Sequence, residues 1–372
     1  MAFALPVYHP PDFSKTPLKD APMVTFAPVR EKGVAPENYH ATTIFPEYFQ
    51  LEKGRWVLLE NSRMDCVVVR APDGSLRVKE FRHLQVGEQV ALGRGENGED
   101  GIYVHTEAFA QPPPVAEKFA FRTRLSRETA FSIDYDELYA LLSFERDNGF
   151  ILWVAGPAAV FDRDSRNALA SLIRRGYVHG LLAGNALAVH DIEAALFQTA
   201  LGQEIYSKRP VHLGHYKHLD AINLVRRAGS LDRAMETGLI QNGVMHALWQ
   251  QRIPYVLAGS IRDDGPLPEV VTDVMEAQDA MRALASRATT VIAVATQLHG
   301  IAAGNMTPMY QVLPEGQVRP VYFYMVDMTE FAADKLANRG SLAARSILTN
   351  AQDFLVILER GLSGGNTWRP GP

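Results

Sequence analysis

Beyond about residue 120 the chain alternates between unbroken apolar runs and segments whose apolar side chains recur at helical spacing. "FILWVAGPAA" reads as a buried strand and "DSRNALASLIRRG" as the helix after it; "VHGLLAGNA" and "VHDIEAALFQTAL" repeat the unit. After two further helices, "PYVLAGS" leads into a helix predicted over "LPEVVTDVMEAQDAMRALASRA". That helix is expected to open just after Gly265-Pro266, where proline is tolerated. "TTVIAVATQ" and "PVYFYMVD" are two more strands, "TEFAADKLANRG" a helix, and "ARSILTN" leads to a last helical stretch. Strands buried on both faces lose the alternation of a half-exposed strand. The pattern therefore predicts an α/β domain over residues 120–362, built on a parallel sheet with helices on both sides.

Residues 45–115 have a different rhythm. "RWVLLE", "CVVVRA", "LRVKEF", "EQVALG" and "GIYVHT" are short β-rich runs separated by turn signals such as "APDGS" and "GENGEDG", which predicts a small antiparallel β domain. Residues 1–44 are proline-rich and aperiodic and read as an extended arm, draped over a domain or a partner subunit; the second possibility makes the protein a homo-oligomer. "QPPPVAEK" reads as a linker and residues 363–372 as a flexible tail.

Composition narrows the function classes. A chain of 372 residues is long enough for two domains and for a core that needs no staples. With 37 basic and 42 acidic residues and a net charge of −5, no positive field is available for nucleic acid or an anionic membrane. The single cysteine, Cys66, can form neither an internal disulfide nor a zinc cluster and reads as a small buried hydrophobe in a reducing, cytoplasmic setting. "MAFALPVYHPPDF" lacks the basic start of a signal peptide, and no apolar stretch approaches ~20 residues, so no membrane span is expected. A small-molecule substrate remains the natural partner.

Ligands of an open parallel sheet bind outside the carboxyl ends of its strands. The segments there are "GPAAVFD" (156–162), "AGNALAVHD" (183–191), "AGSIRDDGP" (258–266), "ATQLHG" (295–300) and "VDMTE" (326–330). Glycine admits close backbone approach, and a helix opening straight after a strand presents free N–H groups to phosphate. Gly156, Pro157, Gly184, Asn185, His190, Asp191, Gly259, Ser260, Thr296, His299, Asn305 and Asp327 are therefore candidates to line a dinucleotide crevice, Asp327 by holding an adenosine ribose. Ordinary helix capping accounts for the same residues. "GRGENG" (93–98) fits G-x-G-x-x-G, but a strand-like run rather than a helix follows it, so it reads as a hairpin turn.

Two polar constellations stand out. Arg262, Asp263 and Asp264 follow a buried strand and suit a zwitterion, guanidinium to carboxylate and carboxylate to ammonium; a salt-bridged helix cap is the competing reading. "HLGHYKHLD" (212–220) places His215 and His218 on one helical face beside Lys217. With no third ligand at suitable spacing and no H-E-x-x-H, a metal site is not expected. Lys217 or His215 as a proton-transfer group, or a solvated helix start, are the alternatives.

"LLAGNALAVHDIEAALFQTALG", "GHYKHLDAINLVRRAGS", "PYVLAGSIRDDGPLPEVVTDVMEAQDAMR", "ATQLHGIAAGN" and "KLANRGS", with "GVAPENYHATTIFPEYF" and "RMDCVVV" further upstream, resemble the NAD-dependent ornithine cyclodeaminase family of the archaeal type. The same region forms the C-terminal part of arginine-guanidine-removing bifunctional enzymes. The resemblance implies a β-rich N-terminal subdomain and a Rossmann-like domain that binds NAD without the usual glycine fingerprint. It also implies conversion of L-ornithine to L-proline and ammonia, through transient oxidation at Cα, cyclisation of the imine and re-reduction. The chain departs from many members at "GPAAVFDRDSR", where acidic residues replace a glycine-rich run, and at "YMVDMT". That leaves an NAD-dependent oxidoreductase or deaminase of another amino acid or opine-like compound, or a non-catalytic NAD- or amino-acid-binding regulator, as alternatives. In the cyclodeaminase reading Arg262 binds the substrate carboxylate, Asp263 or Asp264 contacts an amino group or acts as base, and Lys217 or His215 moves protons.

Overall fold

The structure, a computed structural model, describes residues 3–109, 131–263, 265–314, 316–328 and 344–364. Seven parallel strands form the main sheet: β1 (Ile151–Ala155), β2 (Gly180–Gly184), β3 (Tyr255–Ala258), β4 (Val270–Val271), β5 (Thr290–Val294), β6 (Tyr322–Asp327) and β7 (Ala344–Leu348). Their order is 4-3-2-1-5-6-7. The chain works outward from β1 in one direction and then starts again beside β1 in the other. The carboxyl ends of β1 and β5 thus flank a topological switch point.

Each strand is apolar throughout because both faces are covered. Trp153, Leu181, Leu257 and Ile292 face one helical layer, and Leu152, Leu182, Val291 and Phe323 face the other. The first layer is built by α1 (Phe131–Asn148), α2 (Arg163–Arg174), α3 (Asn185–Phe197), α4 (Gly214–Ala228), α5 (Leu231–Glu236), α6 (Val244–Gln251) and α9 (Ala351–Leu362); the second by α7 (Val274–Ala285) and α8 (Gln297–Met306). α7 opens later than the proline at 266 predicts. Val270 and Val271 first pair with Leu257 and Ala258 as a seventh strand, and Asp273 then caps the helix by accepting from Met275 N (2.8 Å) and Glu276 N (2.9 Å). "ARSILTN" is itself a strand, β7, parallel to β6. The helix read over "TEFAADKLANRG", the linker "QPPPVAEK" and most of the tail at 363–372 lie outside the described residues.

The N-terminal region is two antiparallel sheets. One has four strands in the order Thr25–Pro28, Gln89–Leu92, Val67–Arg70, Leu76–Lys79; the other has Glu47–Glu52 between Arg55–Leu58 and Ile102–Val104. Phe49 and Ile102 from one sheet share a core with Val68 and Ala91 from the other. The aperiodic arm is thus only partly an arm. Thr25–Pro28 is an edge strand, a position that tolerates proline, and Tyr39 and Ala41 bridge to Leu92 and Val67. Its first residues do drape over the α/β domain of the same chain: Phe3 lies 5.3 Å from the Phe144 ring and 5.8 Å from that of Tyr322.

Candidate active site

What marks the switch-point end of the sheet is the way its helices begin. At several other helices a side chain closes the first turn. Asp162 accepts from Asp164 N and Ser165 N at the start of α2, Asp273 serves α7, and Asn350 serves α9. Directly after the three strands β1, β2 and β5, by contrast, β2 runs through Gly184 into α3, β5 runs through Thr296 into α8, and β1 runs through Gly156 into a single turn at Pro157–Val160; none of the three starts has a side-chain cap. The first turn of α3 thereby offers backbone N–H groups that no side chain among the described residues accepts from, as a bound phosphate requires. Gly156 also closes the floor, since a Cβ there would collide with the carbonyl oxygen of Ala295.

The acidic departure at 158–166 does not reach this crevice. Asp162 is the cap of α2 and meets Lys208 Nζ at 3.2 Å, and Asp164 pairs outward with Arg163.

The loop after β3 forms the second wall. Gly259 N donates to Val271 O (2.8 Å), and Asp263 folds back so that its carboxylate accepts from Ser260 N (2.8 Å) while Ser260 Oγ accepts from Arg262 N (3.1 Å). This self-closed turn leaves Arg262 exposed, and its guanidinium makes no ion pair with another described residue. Asp264 lies outside the described residues. Two contacts fix the far end of the loop: Asn185 Oδ1 accepts from Leu267 N (3.1 Å), and the Arg226 guanidinium donates to Pro266 O at 2.8 and 3.1 Å. Asn185 is buried and joins the first turn of α3 to the 259–267 loop.

His299, in the first turn of α8, reaches the end of β2: its Cε1 lies 3.3 Å from the point where a Cβ on Gly184 would sit. Burial holds its imidazole below the ordinary histidine range, opposed by the nearby charge of Asp263. Gly156, Pro157, Gly184, Gly259, Ser260, Arg262, Asp263, Thr296 and His299 therefore converge on one edge.

Other sequence candidates do not. Asp191 is fully buried: it pairs with Arg166 Nε (2.6 Å) and accepts from Val244 N (2.9 Å) and Met245 N (2.8 Å), capping α6 rather than lining the crevice. His190 donates to or accepts from Glu193 at 2.8 Å and stacks edge-on to Phe161. Lys217 lies over the Phe197 ring, and twelve residues of helix carry Phe197 about 18 Å from Asn185. Lys217 and its neighbour His215 are thus removed from the strand ends. Asn305 rides on the last turn of α8, about 12 Å along it. Asp327 does end β6, but on the β5 side of the switch, whereas the ribose carboxylate of the ordinary dinucleotide fold ends the strand on the other side of β1. The "GRGENG" segment does lead into a tight hairpin, as expected: Asn97 bridges antiparallel to Tyr103, Gly98 N donates to Ile102 O (2.8 Å) and Val104 N to Glu96 O (2.9 Å). It crosses between the two N-terminal sheets, and its N–H groups at Arg94 and Gly95 donate to Asp100 (2.9 and 2.8 Å). Sequence reasoning missed Arg166 and Glu193. An acid on the apolar face of "VHDIEAAL" was the available signal that Asp191 points inward and needs a buried partner.

Comparison with known proteins places these features in a wider set. Residues 139–358 match the family described as arginine dihydrolase ArgZ-like, C-terminal, Rossmann fold. The chain is 38% identical over 349 residues to an ornithine cyclodeaminase of Methanopyrus kandleri, covering 91% of this chain and 78% of that protein. Its fold is similar to the crystal structure of a conserved LOR/SDH protein from Methanococcus maripaludis S2, with a TM-score of 0.82 and 33% identity over 92% of this chain and 98% of that one. It is also similar to AgrE in its ternary complex with ornithine and NAD+, with a TM-score of 0.58 and 33% identity, covering 93% of this chain and 46% of that longer one.

Proposed function

Because the chain belongs to the ornithine cyclodeaminase family, whose Rossmann part is the ArgZ-like C-terminal fold, we propose that it converts L-ornithine to L-proline and ammonia with NAD. The observation that carries this reading is the pair of uncapped helix starts, at Gly184 and Thr296, set beside the Arg262–Asp263 loop. The first suits a dinucleotide and the second a zwitterion. The donor set fits the cofactor: the backbone N–H of Asn185, a glycine floor at 156, and no carboxylate in the first turn of α3 or α8.

Bound NAD+ would supply a hydride acceptor that later returns the hydride, leaving the net reaction redox-neutral. The protein supplies orientation and charge. The guanidinium of Arg262, without an ion-pair partner among the described residues, holds the substrate carboxylate, and Asp263, fixed by Ser260 N, faces an ammonium. Asn185 and Arg226 hold the loop that carries both. Lys217 and His215 have no part in this step. Mixing the protein with ornithine and NAD+ tests the reading: proline and ammonia should appear without net NADH, and accumulating NADH would identify an oxidoreductase instead.

Proline formation and a cytoplasmic setting, where both NAD and amino acids are abundant, belong to the same proposal, as does a homo-oligomer. Leu201, Tyr206, Leu213, Tyr216 and Leu219 are exposed together on a segment whose base is closed by backbone contact between Gly202 and Gly214. Such an apolar face supports contact between copies, and a monomeric mass by light scattering would remove it.

A further inference from the structure

We infer that His299 takes the proton from the α-ammonium of the substrate, which frees the nitrogen lone pair that expels the hydride. The inference rests on the cyclodeaminase reading and adds the base that reading lacks. The strand order carries it. β5, from which α8 springs, and β2, which ends at Gly184, are separated by β1. Neighbouring strands are about 4.8 Å apart. To lie 3.3 Å from the Cβ position of Gly184, the ring of His299 must extend across the end of β1, over the middle of the crevice. It thereby stands between the helix starts assigned to the cofactor and the loop of Arg262 and Asp263 assigned to the substrate. Gly184 is what admits it, since a side chain there would press on the ring.

Of the described charged groups on the elements around α8 (β1, β6, α7 and the 259–267 loop), Asp263 is the one whose charge acts on this imidazole. Burial keeps the ring neutral near pH 7, so it is ready to accept a proton, and Asp263 stabilises the imidazolium that results. Of the other imidazoles that the sequence put forward, His190 is engaged with Glu193 and His215 lies beside Tyr216.

The step balances. The α-nitrogen gives H+ to a ring nitrogen of His299. The Cα–H bond then breaks with its electron pair going to NAD+, and the nitrogen lone pair forms the C=N bond; the δ-nitrogen, having given its ammonium proton to solvent, attacks that carbon and gives up a second proton to solvent as the ring closes. The proton on His299 is returned to the departing ammonia.

The test combines pH profiles of kcat/KM for the wild-type protein, His299→Gln and Asp263→Asn with calorimetric NAD+ binding and an NMR titration of the His299 ring in the ligand-free protein. The wild-type profile should fall on the acid side with the pKa that NMR assigns to His299. Asp263→Asn, which removes an opposing charge, should move both to lower pH. His299→Gln should lower kcat/KM by on the order of 10²-fold or more and abolish that limb, with NAD+ affinity retained. An unchanged acid limb in His299→Gln, or a His299 titration unmoved by Asp263→Asn, would overturn the assignment. Wild-type protein that binds NAD+ normally but forms no proline from ornithine would overturn the cyclodeaminase reading, and this proposal with it.

Discussion

Two turns of this chain offer opposite lessons about phosphate recognition. The segment at 93–98 has the glycine spacing of a dinucleotide fingerprint, yet Asp100 and Glu99 accept from the N–H groups of Arg94, Gly95 and Asn97. The strand end at 183–185 has a single glycine, yet it opens a helix with no side-chain cap. Glycine spacing reports how closely a ligand can approach; whether donors remain for it depends on the acceptors the chain itself brings. Three substitutions probe this difference.

Gly184→Val attacks the productive turn directly. Its side chain would meet His299 Cε1, which lies 3.3 Å from the Cβ position alone, and would cover the start of α3. We expect NAD+ affinity to fall by on the order of 10²-fold, read by calorimetry, with thermal stability reduced far less; retained affinity would place the cofactor elsewhere. Asn185→Ala removes the acceptor of the Leu267 N–H and leaves a buried donor unpaired, at a cost of about 1–3 kcal/mol in chemical denaturation. Because the substrate loop is what loosens, the KM for ornithine should rise more than the Kd for NAD+. Asp100→Ala frees two N–H groups in the decoy turn. NAD+ affinity should change by less than about twofold, within the ordinary scatter of a distant surface change; a larger effect would mean that glycine spacing had mattered after all.

Much of this architecture was legible because burial on both faces leaves a plain mark. "ILWVA", "TVIAV" and "YFYMV" could be little else than interior strands, and their order along the chain implied that small, polar-tipped loops would gather at one edge. Positions decided by partners far along the chain were not legible. Asp191 looked like part of that edge until Arg166, on another helix, and the N-terminus of α6 claimed it. Val270 and Val271 became a strand because Leu257 and Ala258 offered an open side, which no local propensity encodes. The strand at Thr25–Pro28 was hidden by its own proline. Arg262 and Asp263 were found from their charge pattern, and Asn185 from its place after β2, but its bond to Leu267 depends on a loop that returns 82 positions later.

The strand order has a consequence for how the molecule comes into being. Ile151 of β1 is paired with Thr290 of β5, so the central strand of the sheet keeps one open edge while the whole stretch between them is being synthesised. An open, apolar strand edge invites pairing with other chains, and a contact so distant in sequence is slow to close. The crevice between β1 and β5 has no second side until that closure. A nascent chain ending before residue 290 therefore carries Arg262, Asp263 and the start of α3 but no complete site, and on this geometry tight cofactor binding arrives only with the last third of the α/β domain.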